Sequence, residues 1–146
     1  MAAAVIPAAV TPAAAHTGGT TTSARTLHPR DPRDPVVVVD CFSQAQMRPQ
    51  EYLLACGDGN NRLVELRWNS WGSRTATATG TDMVNDCRPY CAAGRFRAYP
   101  VTVTLSDPQA WPQHPDVRRF TMIRLVYTDT VPGPHPTKDV TYKLVY

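Results

Sequence analysis

Short runs of alternating apolar and polar residues recur in this chain from Val36 onward, and each is closed by glycine, proline, asparagine or aspartate. Alternation of period two is typical of half-buried strands, and no window of eleven residues shows helical periodicity. The 14 prolines and 8 glycines, spaced at short intervals, also argue against a helical bundle. The predicted strands are residues 36–39, 52–56, 63–68, 75–79, 96–105, 120–127 and 140–146. The pattern predicts an all-β fold, an antiparallel β-sandwich or small barrel of seven to eight short strands.

Several strands carry further information about burial. Residues 36–39 are four consecutive valines, which predicts a strand covered on both faces. In residues 63–68 the alternation predicts that Val64, Leu66 and Trp68 point inward.

Three other segments have local signals. Residues 75–79 alternate threonine with alanine, which suits a strand against a close neighbour. Pro100 interrupts residues 96–105, so that end is predicted to be an edge or a bulge. Residues 43–51 leave room for one helical turn.

The four cysteines are an even number in a chain that we interpret as exported, which predicts two disulfides. Three pairings are possible, and we favour Cys41–Cys56, which ties adjacent strands, with Cys87–Cys91, a tight loop stiffened by Pro89. Pairing of the two later cysteines with the two earlier ones stays open. The spacing lacks the Cys-x-x-Cys element typical of structural zinc sites and catalytic dithiols.

The amino terminus indicates export. Residues 1–15 form an Ala-rich apolar run that ends in an Ala-x-Ala signature, and we interpret them as the remnant of an export signal without its positive start. A disordered Ala/Pro-rich tail is the alternative. Residues 16–35 are predicted to be a flexible Thr/Pro/Arg-rich linker, and residues 36–146 a single β domain. No later segment approaches 18 apolar residues, so we expect a secreted protein without a membrane span.

One set of motifs stands out between residues 36 and 127. It comprises Arg48-Pro49, Leu54, Cys56-Gly57-Asp58-Gly59-Asn60, Leu63, Trp68, Trp71, Asn85-Asp86-Cys87, Pro89, Cys91-Ala92, Gly94, Phe96 and Tyr99-Pro100. This set resembles a family of small, uncharacterised secreted proteins from actinobacteria. The resemblance implies export and a concerted role for the cysteines, but no activity. The present chain departs from the family at its front, where the export signal is incomplete.

Charge and motif content argue against several function classes. The 15 basic and 12 acidic residues give a net charge of +3. The basic residues are spread singly apart from the adjacent pair Arg118-Arg119, so no nucleic-acid partner is expected. No histidine accompanies a nucleophile elbow. Asp58, Asp82 and Asp86 could pair for glycoside hydrolysis or hold calcium, but aspartate is also the ordinary residue of turns. We assign no catalytic residue, metal or cofactor, and the sequence favours a protein that is not an enzyme over one that is.

The remaining candidates are binding residues. Trp71, in a predicted loop, could stack on a sugar or anchor a partner, although closing the core is the commoner role of such a residue. A disulfide-braced loop would present Arg88 and Tyr90 rigidly. We therefore expect a secreted binding or structural module with a protein or carbohydrate ligand. The alternative is a protease inhibitor that presents the Cys87–Cys91 loop, and a small secreted hydrolase is the least favoured.

Overall fold

The computed structural model describes residues 34–133 and 137–144, and this part of the chain consists of strands, turns and one short 3₁₀ turn. The strands are β1 (Val38–Val39), β2 (Ala45–Gln46), β3 (Tyr52–Leu53), β4 (Asn61–Trp71), β5 (Ala76–Asn85), β6 (Phe96–Trp111), β7 (His114–Tyr127) and β8 (Asp139–Lys143). The predicted all-β class is confirmed. The predicted export remnant and residues 16–33 of the predicted linker lie outside the described residues, as do residues 145 and 146 of the last predicted strand.

The sheet topology is an antiparallel meander. Strands β3 to β8 pair in chain order and curve into a half-barrel, while β1 and β2 form a separate hairpin. The favoured disulfides, Cys41–Cys56 and Cys87–Cys91, are both present. Strands β6 and β7, with 16 and 14 residues, are longer than the sequence pattern predicts. Leu105 is the last residue of β6 that pairs with β5. The β6–β7 hairpin continues beyond it through a stretch in which prolines interrupt the apolar–polar alternation.

Residues 36–39 pack against the apolar face of the half-barrel, and Val37 forms a parallel bridge with Arg119 of β7. Val36 and Val38 pack into the main core, and Val37 and Val39 pack on Trp111 beneath the β6–β7 hairpin. All four valines are at most 9% exposed. The prediction that this strand is covered on both faces is confirmed.

A β-bulge in β4 changes the predicted facing of its side chains. Glu65 has a φ of +53°, and the register with β5 shifts between Val64 and Arg67. Leu63 and Leu66 are therefore both buried, at 1% and 5% exposure. The prediction that Val64 points inward is wrong, because a bulge inserts one residue and reverses the alternation on one side of it.

Two local predictions have opposite outcomes. Pro100 lies where β6 loses one neighbour, since pairing with β7 begins only at Val101, so the predicted edge is confirmed. Residues 43–51 hold β2 and irregular backbone, and the helical turn predicted there is wrong.

None of the described segments forms a helix that is long and apolar enough to cross a membrane.

Gly80 of β5 lies against the β4 bulge. A Cβ atom at this position would lie 2.8 Å from Leu66 Cδ2 and 3.0 Å from the Val64 carbonyl oxygen. We expect Gly80→Ala to lower the free energy of unfolding by about 1–3 kcal/mol, because a buried leucine and backbone would have to move. Urea denaturation measures the change. Gly133→Ala, where a Cβ meets nothing within 4 Å, is the control, and equal stability of both variants would contradict the account.

Candidate functional site

Three loops meet at one end of the sheet. They are the β1–β2 turn (residues 40–44), the β3–β4 turn (residues 54–60) and the β5–β6 loop (residues 86–95), which together we call the loop end. The Cys41–Cys56 disulfide joins the first two loops. This bridge links two turns, so it fixes the loop end directly.

Asn85 joins the β3–β4 turn to the β5–β6 loop. Its backbone N–H donates to the Asn60 carbonyl oxygen at 2.9 Å, and its Nδ2 donates to Asn60 Oδ1 at 2.9 Å. The same Nδ2 also donates to the Cys91 carbonyl oxygen at 2.8 Å, and Oδ1 accepts from the Cys87 N–H at 2.9 Å. One amide side chain therefore holds both ends of residues 87–91, which we call the Cys87–Cys91 ring.

Asp86 holds the next part of the loop. Its Oδ1 accepts the backbone N–H groups of Arg88 and Arg95 at 3.1 and 3.0 Å, and its Oδ2 pairs with the Arg97 guanidinium at 3.2 Å. The Arg95 and Arg88 N–H donors and the nearby Arg97 lower the pKa of the Asp86 carboxyl. The carboxylate is therefore charged at neutral pH and keeps all of these hydrogen bonds.

Gly94 permits this bracing by its lack of a side chain. A Cβ atom here would overlap Asn85 Oδ1 and lie 2.8 Å from the Cys87 nitrogen. Glycine is therefore required by close approach, although its φ of −73° is ordinary. The packing role of this glycine is visible only in the fold.

The braced backbone presents large side chains to solvent. Tyr90 is 64% exposed at the Cys87–Cys91 ring, and Arg88 is exposed beside it. Phe96, 41% exposed, begins β6, and the Arg62 guanidinium lies over its ring at 5.4 Å from the centroid. Tyrosine and arginine are the residue types that most often anchor protein interfaces.

A second exposed anchor lies at the β1–β2 turn. Phe42 is 78% exposed. The Asp40 carboxylate holds this turn, because its Oδ1 accepts the N–H groups of Phe42 and Gln44 at 2.8 and 2.9 Å. We did not predict Phe42 as a site residue. The available signal is an aspartate that ends the valine run and caps the turn that follows.

The structure does not bring Trp71 together with Arg88 and Tyr90. Trp71 ends β4 about 30 Å from the strand's first residue, which lies at the loop end. Its Nε1 donates to the Val36 carbonyl oxygen at 2.7 Å, and its ring meets Phe120 edge-on with centroids 5.6 Å apart. Trp71 therefore closes the core at the opposite end of the sheet.

The three aspartates considered for catalysis or calcium binding occupy different environments. Asp82 is 1% exposed and accepts hydrogen bonds from the Tyr127 hydroxyl, at 2.7 Å, and from Asn61 Nδ2. Burial raises the pKa of Asp82 more than these two donors lower it. Asp58 and Asp86 lie in separate turns, and the Asn60 N–H lowers the pKa of Asp58. Within residues 34–133 and 137–144, no three His, Cys, Asp or Glu side chains are placed to hold a metal ion.

An apolar gap lies between β1 and the sheet. Core side chains line it, among them Val38, Pro49, Tyr52, Leu63 and Trp68. Its volume is about 10 Å³, room for about one water molecule, whereas small-molecule sites usually begin at about 300 Å³. The gap is therefore an imperfection of core packing, and the loop end remains the better candidate site.

Comparison of the chain with protein-family models, with curated proteins and with solved structures gave no match. The resemblance to the actinobacterial family stays a prediction. The functional argument therefore rests on the geometry of the loop end.

The raised pKa of Asp82 gives this residue a defined effect on stability. The folded protein binds the Asp82 proton more tightly than the unfolded chain does. Its contribution to the free energy of unfolding is thus greatest below the ordinary pKa of 3.8 and falls as the pH rises through the folded-state pKa. The stability of the wild type minus that of Asp82→Asn should decrease between about pH 3 and pH 7. Urea denaturation across this range measures it, with exposed Asp129→Asn as control. A difference that grows with pH would contradict the assignment.

Gly94→Ala should disorder the Cys87–Cys91 ring, because the new methyl group displaces Asn85 Oδ1 and breaks its bond to the Cys87 N–H. We expect a loss of about 1–3 kcal/mol in the free energy of unfolding and faster amide hydrogen exchange in residues 86–95. Gly57→Ala, at the same end of the sheet and with nothing within 4 Å of its Cβ, is the matched control. Unchanged exchange in the Gly94 variant would show that the amide does not brace the ring.

Proposed function

We propose that this chain is a small secreted, disulfide-stabilised β domain that acts as a binding module, with a protein partner docking at the loop end. The observation that carries the proposal is the combination of exposure and bracing at one place. Tyr90 and Arg88 face solvent, yet the backbone that carries them is held by a disulfide, by Asn85 and by Asp86. Such preorganised groups lose little conformational entropy on binding, so more of their contact energy becomes affinity.

Secretion is supported by the cysteine chemistry. All four cysteines form disulfides, and disulfides persist mainly in oxidising compartments such as the cell exterior. The apolar run with its Ala-x-Ala ending in residues 1–15 points the same way.

A protein partner is favoured over a carbohydrate by the placement of the aromatic residues. Trp71, the candidate for stacking on a sugar, packs edge-on against Phe120 and donates a hydrogen bond to the Val36 carbonyl oxygen. The exposed aromatic side chains of the loop end are instead Tyr90, Phe96 and the projecting Phe42. A phenyl ring on a fixed turn suits an apolar pocket of another protein.

Protease inhibition is the second candidate, because Arg88 is exposed on a braced loop. A substrate-like inhibitor, however, offers an extended segment that pairs with the protease backbone. The Cys87–Cys91 ring instead turns back on itself, with Cα atoms 3.7 Å apart at its ends. The geometry therefore supports a docking surface better than an inserted loop.

Site-specific photo-crosslinking tests the proposal. We would place the crosslinker at Tyr90 and Phe42 of the full chain and, as control, at exposed Arg74 near the opposite end of the sheet. Incubation with the extracellular proteins of the producing organism should give one protein that crosslinks at the first two positions and not at the third. Its purified form should bind Tyr90→Ala at least about tenfold more weakly than wild type.

Two results would overturn the proposal. Equal crosslinking at Arg74 would show that the loop end has no preference, and unchanged affinity of Tyr90→Ala would remove the anchor. Inhibition of a secreted protease by the wild type, abolished in Arg88→Ala, would establish the second candidate instead.

A further inference from the structure

The Asp86 carboxylate brings two arginines together. Because Arg88 N and Arg95 N both donate to Asp86 Oδ1, these two nitrogen atoms lie at most about 6 Å apart. Both side chains are exposed. The backbone positions that carry these two arginines, seven residues apart in sequence, are therefore held close together at the loop end.

The surroundings of this pair are mostly basic. Phe96 follows Arg95 in the chain, and the Arg62 guanidinium lies over its ring. Arg97 is paired with Asp86. Arg88 lies in the Cys87–Cys91 ring, and Arg62, Arg95 and Arg97 lie on the loop and strands that adjoin it. The neighbouring acids are Asp86, which is already engaged, Asp58 in the adjacent turn, and Asp40, whose carboxylate is nearly buried in the β1–β2 turn.

We infer that the segment docking here is acidic, an inference that rests on the proposed function. Carboxylates of the partner pair with Arg88 and Arg95, because a guanidinium binds a carboxylate through two parallel hydrogen bonds. An apolar side chain of the same segment packs on Tyr90 and Phe96, the exposed rings of this region. Opposite charge gives orientation and a faster association rate, while the rings supply apolar contact.

A nucleic acid or another uniform polyanion fits this surface less well. This cluster of arginines lies beside apolar rings and not in a continuous row, and the one adjacent basic pair of the chain, Arg118-Arg119, lies in β7. A polyanion is bound mainly by neutralising a row of backbone charges. An acidic peptide with apolar side chains uses both parts of the cluster.

The test uses the isotope-labelled full chain and a synthetic decapeptide of alternating glutamate and leucine. Chemical-shift changes in the backbone amides should be confined to residues 86–96 and fit a single binding site. The double variant Arg88→Ala/Arg95→Ala should bind at least about tenfold more weakly. The double variant Arg67→Ala/Arg74→Ala removes the same charge from exposed positions elsewhere and should bind like wild type.

Three results would overturn the inference. Equal binding of a lysine–leucine decapeptide would remove the role of charge, and equal binding of a glutamate–serine decapeptide would indicate a general polyanion surface. Equal affinity of the two double variants would place the contact elsewhere. The unbound spectra of both variants report whether each retains the fold.

The crosslinked partner separates this inference from the proposed function. If that partner loses affinity for Tyr90→Ala but not for Arg88→Ala/Arg95→Ala, the docking function stands and the acidic segment is refuted. If the glutamate–leucine peptide behaves as expected while no protein crosslinks at position 90, the charge preference stands and the docking function is refuted.

Discussion

The burial of residues 36–39 against the apolar side of the half-barrel is the interaction on which the rest of the molecule depends. Full burial of a valine side chain is worth about 1.5–3 kcal/mol, and all four valines in this segment are nearly inaccessible. Two face the sheet and two face Trp111. The segment therefore fastens the β6–β7 hairpin to the half-barrel.

The same segment positions the loop end. Directly after its last valine, Asp40 shapes the β1–β2 turn, and Cys41 ties that turn to Cys56. Closing a loop of this size restricts the unfolded chain by about 3 kcal/mol in the chain-entropy model. From Cys56 the restraint continues through Asn60 to Asn85 and the Cys87–Cys91 ring. The exposed side chains of the loop end are thus carried by turns that disulfides and hydrogen bonds connect to one another. These connections hold the turns in a fixed arrangement.

Much of this architecture can be predicted from the sequence, and the two features that the sequence does not predict, the facing of Val64 and the length of the β6–β7 hairpin, have definite causes. The period-two alternation identifies the strands, and the four valines indicate a strand covered on both faces. Val64 was assigned to the wrong face because Glu65 takes the left-handed conformation of a bulge in place of the usual glycine or asparagine, so the sequence carries no sign of the bulge. Beyond Leu105, prolines break the alternation, so the length of the β6–β7 hairpin is fixed by pairing between the two strands.

The candidate site divides in the same way. Residue type and spacing indicate by themselves an all-β chain with two disulfides and favour a Cys87–Cys91 ring, because alternation, turn residues and the number of cysteines can be read without the fold; the pairing itself is established by the structure. Only the tertiary structure decides that Trp71 closes the core at the far end, that Phe42 projects from a braced turn, and that Asp86 gathers Arg88 with Arg95. These relations join residues that are distant in the chain, and their geometry exists only once the sheet has curved and brought its turns to a common end.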